Sequence, residues 1–182
     1  MLKLIRKAYA DTSYLVDQLI SHPELWNEIT LRSEHPQSPH REISDIWVRY
    51  NPIENYTGDM KAFNSEHISQ WYPTVEYLSE ARLLSEMIVD EFEADQLGAV
   101  LITKIPAGKQ CYPHIDQGWH ARFYEKFALQ VKGNSEQSFH VEDEMLRTET
   151  GDLFAFDNSK PHWVLNPSSE DRITMIVCIR RH

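Results

Sequence analysis

The chain has 182 residues, 41% of them hydrophobic, and its 28 acidic against 18 basic side chains give a net charge of −10. That length suits one domain with its own core, and the acidic balance argues against a nucleic-acid backbone or an anionic membrane surface as the main partner. No stretch approaches the roughly eighteen apolar residues of a membrane span, and Met1-Leu2-Lys3-Leu4-Ile5-Arg6-Lys7 lacks a signal peptide's unbroken apolar run, so the expected location is the cytoplasm.

In chain order, residues 13–20 are apolar at helical intervals, with Asp11, Thr12 and Ser13 available as caps and His22-Pro23 as a stop. Residues 31–45, rich in Ser, His, Pro and charge, read as a connection, and Ile46-Trp47-Val48-Arg49-Tyr50 reads as a short strand. From Thr74, the positions Val75, Leu78, Ala81, Leu84, Ile88 and Phe92 recur at helical spacing until Gly98 closes the segment. This is the strongest predicted helix, and its apolar stripe is expected to cover one face of a sheet.

After Gly98 the period changes to two. Strands are predicted over 99–105, 110–116, 126–132, 137–142, 145–148, 153–156, 162–165 and 172–179, with turns at Lys132-Gly133-Asn134-Ser135, Thr150-Gly151-Asp152 and Asn158-Ser159-Lys160-Pro161. Eight short antiparallel strands behind a helical front suggest a jelly roll whose open mouth holds a site. The expected architecture is mainly β with flanking α-helices. It is a single domain over 1–182, with a helix-rich part, 1–98, and a jelly-roll catalytic core, 99–182.

His114-Ile115-Asp116, followed by His162 and Arg172, carries the chemistry. Two imidazoles and a carboxylate are the donor set of a 2-His-1-carboxylate iron(II) centre, which leaves positions open for a co-substrate and O2. A guanidinium downstream suits the distal carboxylate of 2-oxoglutarate, which it can hold through two parallel hydrogen bonds. The tripeptide alone is weak, since His22-Pro23-Glu24, His40-Arg41-Glu42 and His140-Val141-Glu142 share the looser pattern among nine histidines. His22 and His40 sit in connections and His140 in a half-exposed hairpin strand, whereas His114 follows a strand and the Pro106-Ala107-Gly108 turn. If 110–116 is one strand, His114 and Asp116 share a face and Ile115 packs on the other. On the last strand Arg172, Thr174, Ile176 and Cys178 share one face, so Arg172 and Thr174 are expected to look into the barrel. Cys111 and Cys178 lack CxxC spacing, and Cys111 reads as a small buried thiol at least as readily as a ligand.

Residues 103–179 resemble the aspartyl/asparaginyl β-hydroxylase branch of the Fe(II)/2-oxoglutarate-dependent oxygenases. The matching pieces are Tyr112-Pro113-His114, Gly151-Asp152-Leu153-Phe154-Ala155-Phe156-Asp157-Asn158-Ser159, His162, Ser168-Ser169, Arg172 and the closing apolar strand. The resemblance implies a double-stranded β-helix, cupin-like, with iron on His114 and His162 and 2-oxoglutarate anchored by Arg172. It also places Thr103 beside that distal carboxylate. Some members lack the carboxylate ligand; with Asp116 present, a full triad is the simpler reading. The branch carries basic and histidine side chains on the strand after the first motif to contact the co-substrate, and Arg122 or Lys126 is the substitute available here.

The implied enzyme is an Fe(II)-, 2-oxoglutarate- and O2-dependent dioxygenase. It would hydroxylate a C–H bond of a small-molecule or peptidyl amino-acid side chain, Asp- or Asn-like by analogy. Trp119 and His120 follow the first motif and are expected at the mouth; Arg49 could pair with a substrate carboxylate, although a salt bridge to one of the many acids is the commoner outcome. Two alternatives stay open. One is a cupin metalloenzyme, an isomerase or a 2-oxoglutarate-independent dioxygenase, suggested by His162-x-x-x-Asn166; the other is a non-catalytic barrel that binds a small molecule.

Overall fold

The computed structural model describes residues 1–182. Its front carries β1 (Leu2–Arg6), α1 (Ser13–Ser21), β2 (Ser44–Tyr50), α2 (Met60–Phe63), β3 (Gln70–Trp71) and α3 (Ser79–Glu91). The remainder is β4 (Gln96–Ile105), β5 (Gln110–His114), α4 (Trp119–Phe123), β6 (Glu125–Lys132), β7 (Ser138–Val141), β8 (Glu144–Leu146), β9 (Leu153–Phe156), β10 (His162–Leu165) and β11 (Arg172–Arg180). A seven-stranded sheet runs β1-β9-β6-β11-β4-β2-β3, and a four-stranded sheet runs β5-β10-β7-β8. Their inner faces meet in an apolar layer that includes Ile105, Ala128, Phe139, Phe154, Phe156 and Val164. This is a double-stranded β-helix. No helix is long and apolar enough to cross a membrane.

The strict alternation along β11 organises the interior. Ile173, Met175, Val177 and Ile179 face the helices, packing with Leu15 and Leu19 of α1 and Ala81, Leu84 and Ile88 of α3. Arg172, Thr174, Ile176 and Cys178 face the space between the sheets. Such period-two patterning puts an apolar face against the helical stripe and frees the other for chemistry. The buried Thr12 hydroxyl donates to the Val131 carbonyl at 2.8 Å, fastening the start of α1 to β6.

Four local expectations are corrected. The helical stripe does not run to Gly98: a 3-10 turn (Pro73–Glu76) precedes α3, Glu93 at φ 48° breaks the chain direction, and Gly98 lies inside β4. A Cβ on Gly98 would stand 2.9 Å from the Tyr124 ring, so glycine there answers to close packing. Secondly, the front is less helical than expected. β1 lies along β9, and β2 pairs with β4, so the front supplies strands to the larger sheet. In β1, Leu2 and Leu4 pack against the layer between the sheets while Lys3 points out, a three-residue alternation too short to register by periodicity. Thirdly, β5 stops at His114, and Asp116 stands beyond the strand. Finally, Ile115 is consequently 46% exposed and borders a cavity instead of packing behind the pair.

Candidate active site

The end of β5 and the start of β10 lie side by side, with His114 opposite His162 in the ladder and their ring centroids 4.2 Å apart. His114 Nδ1 donates to the Tyr112 carbonyl at 2.7 Å, and His162 Nδ1 donates to the Lys160 carbonyl at 2.9 Å. A carbonyl can only accept, so each contact assigns the proton to Nδ1 and leaves Nε2 with a free lone pair. The Asp116 N–H donates to the Asn158 carbonyl at 3.1 Å. This bond holds the carboxylate with Oδ1 3.7 Å from His114 Nε2 and Oδ2 3.8 Å from His162 Nε2. Two donors each about 2.1 Å from one ion stand at most about 4.2 Å apart, so both separations suit a shared metal. The three ligand atoms together fall within 4.8 Å.

The electrostatics keep these groups in the form a metal requires. Burial, then the neighbouring His162, pulls His114 down to about 4; burial likewise lowers His162. Burial alone would raise the Asp116 carboxyl, but the Lys126 ammonium in contact with it, helped by His162 and His114, holds it below the usual carboxylate range. Two neutral imidazoles and one carboxylate result.

Two cavities open from this cluster, one of about 340 Å³ and one of about 70 Å³, and both are lined by Arg32, His40, His114, Asp116 and Lys126. The smaller one ends on Arg172, which is 3% exposed. Its Nη1 donates to the Thr174 hydroxyl at 2.8 Å, and its buried Nη2 has no partner. Burial pulls this guanidinium down to about 10. A buried cation with an idle donor, one cavity away from three groups that could hold a metal, suits one end of a dicarboxylate.

Thr103 also lines this small cavity, but its hydroxyl donates to Asp45 at 3.0 Å. A hydroxyl has one hydrogen, so Thr103 has none left for a ligand carboxylate, whereas Thr174 accepts from Arg172 and keeps its own hydrogen free. Lys126 lines both cavities. Arg122 is exposed on α4, lines neither, and does not reach the site. Trp119 stacks on Phe123 at 4.8 Å and lines neither cavity. His120 does line the wider cavity, with Nε2 accepting from the Ala99 N–H at 3.2 Å and burial pulling the ring to about 3. It is a neutral structural histidine. Arg49 is turned away: it donates from Nε and Nη2 to the Leu97 carbonyl at 3.3 and 3.2 Å and stacks over Trp71, with no acid partner.

Sequence reasoning passed over Arg32 and Asp45 and set His40 aside as part of a connection. The His40 ring stands 4.5 Å from that of His114, and burial pushes it well below its ordinary value. Its Nε or Nδ nitrogen, Cys111 and His114 also fall within 4.8 Å of one another, but burial pushes the Cys111 thiol up to about 12, consistent with a small buried thiol. Asp45 is 1% exposed, and its Oδ2 lies 3.2 Å from Arg32 Nε. The available signal was Asp45 itself, a carboxylate inside the apolar run Ile43-Ser44-Asp45-Ile46-Trp47, which demands a buried cationic partner.

Residues 57–182 match the family model described as aspartyl/asparaginyl beta-hydroxylase. No curated protein matches the sequence significantly. Among solved structures, a Pseudomonas putida prolyl-4-hydroxylase superposes with a TM-score of 0.55 at 15% identity, covering 100% of this chain and 92% of that one. The viral collagen prolyl hydroxylase of Paramecium Bursaria Chlorella virus-1, in its 2OG complex, gives 0.57 at 13% identity and covers 100% and 96%. A Trichoplax adhaerens prolyl hydroxylase, in complex with a hypoxia-inducible-factor peptide fragment, gives 0.55 at 11%, covering 98% and 83%. At these identities the likeness is one of fold.

Proposed function

Because this chain belongs to the aspartyl/asparaginyl β-hydroxylase family, and is thereby an Fe(II)- and 2-oxoglutarate-dependent dioxygenase, we propose that His114, Asp116 and His162 hold its iron. In the same reading Arg172 and Thr174 bind the distal carboxylate of 2-oxoglutarate, and the wider cavity admits an amino-acid or peptidyl side chain for hydroxylation. When bound, iron, 2-oxoglutarate and O2 supply the oxidation: the co-substrate becomes succinate and CO2 while one C–H bond becomes C–OH.

The protein's own contribution is positional. The Tyr112 and Lys160 carbonyls orient the two imidazoles, and the Asn158 carbonyl fixes the turn that presents Asp116. Arg172 sets how deeply the co-substrate sits, since its guanidinium is buried and its idle Nη2 can pair with the second carboxylate oxygen. Lys126 balances Asp116 and becomes free to meet a ligand oxygen once the carboxylate has another cation. The apolar wall around Trp47 and Tyr50 limits the water that reaches the reacting carbon. Fold neighbours named as a collagen prolyl hydroxylase and as a prolyl hydroxylase in complex with a peptide fragment are consistent with a peptidyl substrate, and the family description supports an Asp or Asn side chain. We take residues 1–182 as one domain, since β1 and β2 complete the larger sheet.

The observation that carries this reading is the buried Arg172 guanidinium with an unpartnered Nη2, separated from the His114–Asp116–His162 set by one small cavity. The test is anaerobic titration of the iron(II)-loaded protein with 2-oxoglutarate, following the weak visible metal-to-ligand band of chelation. The band is expected in the wild type and absent in His162→Ala. Iron binding without a band would sink the assignment and leave a metal-cupin isomerase or a 2-oxoglutarate-independent dioxygenase.

A further inference from the structure

Arg32 enters both cavities from a segment with no regular secondary structure, outside the 57–182 stretch that the family model matches. Its hold is built from several partners. Nε lies 3.2 Å from Asp45 Oδ2, and Asp45 in turn accepts from Thr103 at 3.0 Å and donates its N–H to Asn27 Oδ1 at 3.1 Å. The Arg32 carbonyl accepts from the Ser38 hydroxyl. The two terminal guanidinium nitrogens make no hydrogen bond to the protein, and Arg32 forms part of the wall of the roughly 340 Å³ cavity. Nε and Asp45 Oδ2 form a buried ion pair without a hydrogen bond between them, and a guanidinium paired on that edge with its fork free presents a planar double donor to the cavity.

The charges of the chamber point the same way. Its wall carries the cations Arg32, Lys126 and Arg172 and the carboxylate Asp116, and Arg32 is paired with the buried carboxylate Asp45. A divalent metal and a dianionic co-substrate cancel each other, so the loaded chamber keeps one surplus positive charge. Arg172 takes up one co-substrate carboxylate, and the other belongs at the metal. The fork left for a third anion is that of Arg32, which lines the larger cavity together with Trp47, Tyr50 and Met60.

We infer that Arg32, held by Asp45, anchors a carboxylate of the substrate, which makes the enzyme selective for an anionic amino-acid unit. This rests on the oxygenase reading above. The carboxylate can belong to an aspartyl side chain or to the main chain of a free or C-terminal residue, and both present the same planar acceptor to the guanidinium.

Three blocked amino acids separate the cases. N-acetyl-L-asparagine carries only the main-chain carboxylate, N-acetyl-L-aspartic acid α-amide only the side-chain one, and N-acetyl-L-asparagine amide neither. Each is titrated calorimetrically, without oxygen, into protein loaded with iron(II) and 2-oxoglutarate. At least one of the acids is expected to bind about tenfold or more tightly than the diamide, and the acid that does so identifies the source. Replacing Arg32 alone would strand Asp45, so the variant pairs Arg32→Gln with Asp45→Asn, which leaves no buried charge unpaired. It is expected to lose the preference for the acid while binding 2-oxoglutarate within about twofold of the wild type. Equal binding of the three probes, binding of none, or a variant that keeps the preference would overturn the inference. So would a variant whose 2-oxoglutarate affinity falls in parallel, since Arg32 would then serve the co-substrate. Loss of the visible band in the wild type would instead count against the oxygenase reading itself.

Discussion

Replacing Arg172 by methionine separates what this residue costs from what it does. Methionine is unbranched and similar in reach, so it fills the same channel between β11 and the smaller sheet without opening a large cavity. The guanidinium is fully enclosed, has no carboxylate partner, and is pulled from 12.5 to about 10 by burial. At about 1.4 kcal/mol per tenfold change in a proton equilibrium, holding it charged there costs roughly 3 kcal/mol. The hydrogen bond from Nη1 to Thr174 returns about 1 kcal/mol. Arg172→Met should therefore stabilise the ligand-free protein by about 1–2 kcal/mol, a rise in melting temperature of roughly 2–8 °C at this chain length. The same change should abolish 2-oxoglutarate binding. Thermal unfolding with Mn(II), which avoids turnover, reads both effects at once. At a hundredfold excess over its dissociation constant, 2-oxoglutarate should stabilise the wild type by about 2.7 kcal/mol and leave the variant unmoved. A variant less stable than the wild type that still responds to 2-oxoglutarate would refute the reasoning, because Arg172 would then be a structural residue with a hidden partner.

The two threonines give a sharper contrast. Thr174→Val should weaken 2-oxoglutarate about tenfold in the anaerobic titration, having lost both the acceptor for Arg172 and the free hydrogen. Thr103→Val should leave that affinity nearly unchanged and lower stability in urea by about 1–2 kcal/mol, since buried Asp45 loses a donor. His120 is neutral in the fold, drawn down to about 3 from an ordinary 6.5. Its contribution is therefore complete above about pH 6.5 and is lost as pH falls toward 3, reaching about 2 kcal/mol at pH 5. Urea midpoints measured from pH 7 to 4.5 should fall less steeply in His120→Gln; an unchanged slope would show that the ring does not resist protonation. Gly98→Ala should cost about 1–3 kcal/mol through collision with Tyr124 and His120, and thermal unfolding at wild-type level would mean that those rings yield freely.

What was readable from the residues divides along a physical line. Strands β4, β6, β9, β10 and β11 lie close to the predicted positions, because short apolar runs bounded by turn residues mark a wall buried largely on both faces. The helical stripe from Leu78 to Ile88 was legible too. His114 and His162 were visible as ligand types, and the structure brings their rings together through the register of β5 with β10. That pairing spans about fifty residues, so no local pattern encodes it. Asp116 was found with the wrong local account: the turn beyond β5, not strand alternation, aims it. Arg49, Arg122 and Trp119 were chosen for residue type and nearness in sequence, and each is drawn elsewhere, to the Leu97 carbonyl, to solvent and to Phe123. Arg32 escaped, and His40 was set aside, because residues 31–43 have no periodicity and owe their positions to contacts with distant chain.

The pairing of β1 with β9 and of β2 with β4 has a practical consequence. The stretch matched by the family begins at residue 57, yet both of these neighbouring strands precede it. A recombinant fragment cut at that boundary would carry two raw sheet margins, each a row of free N–H and C=O groups ready to template onto another molecule. Its clumping would say nothing about the enzyme.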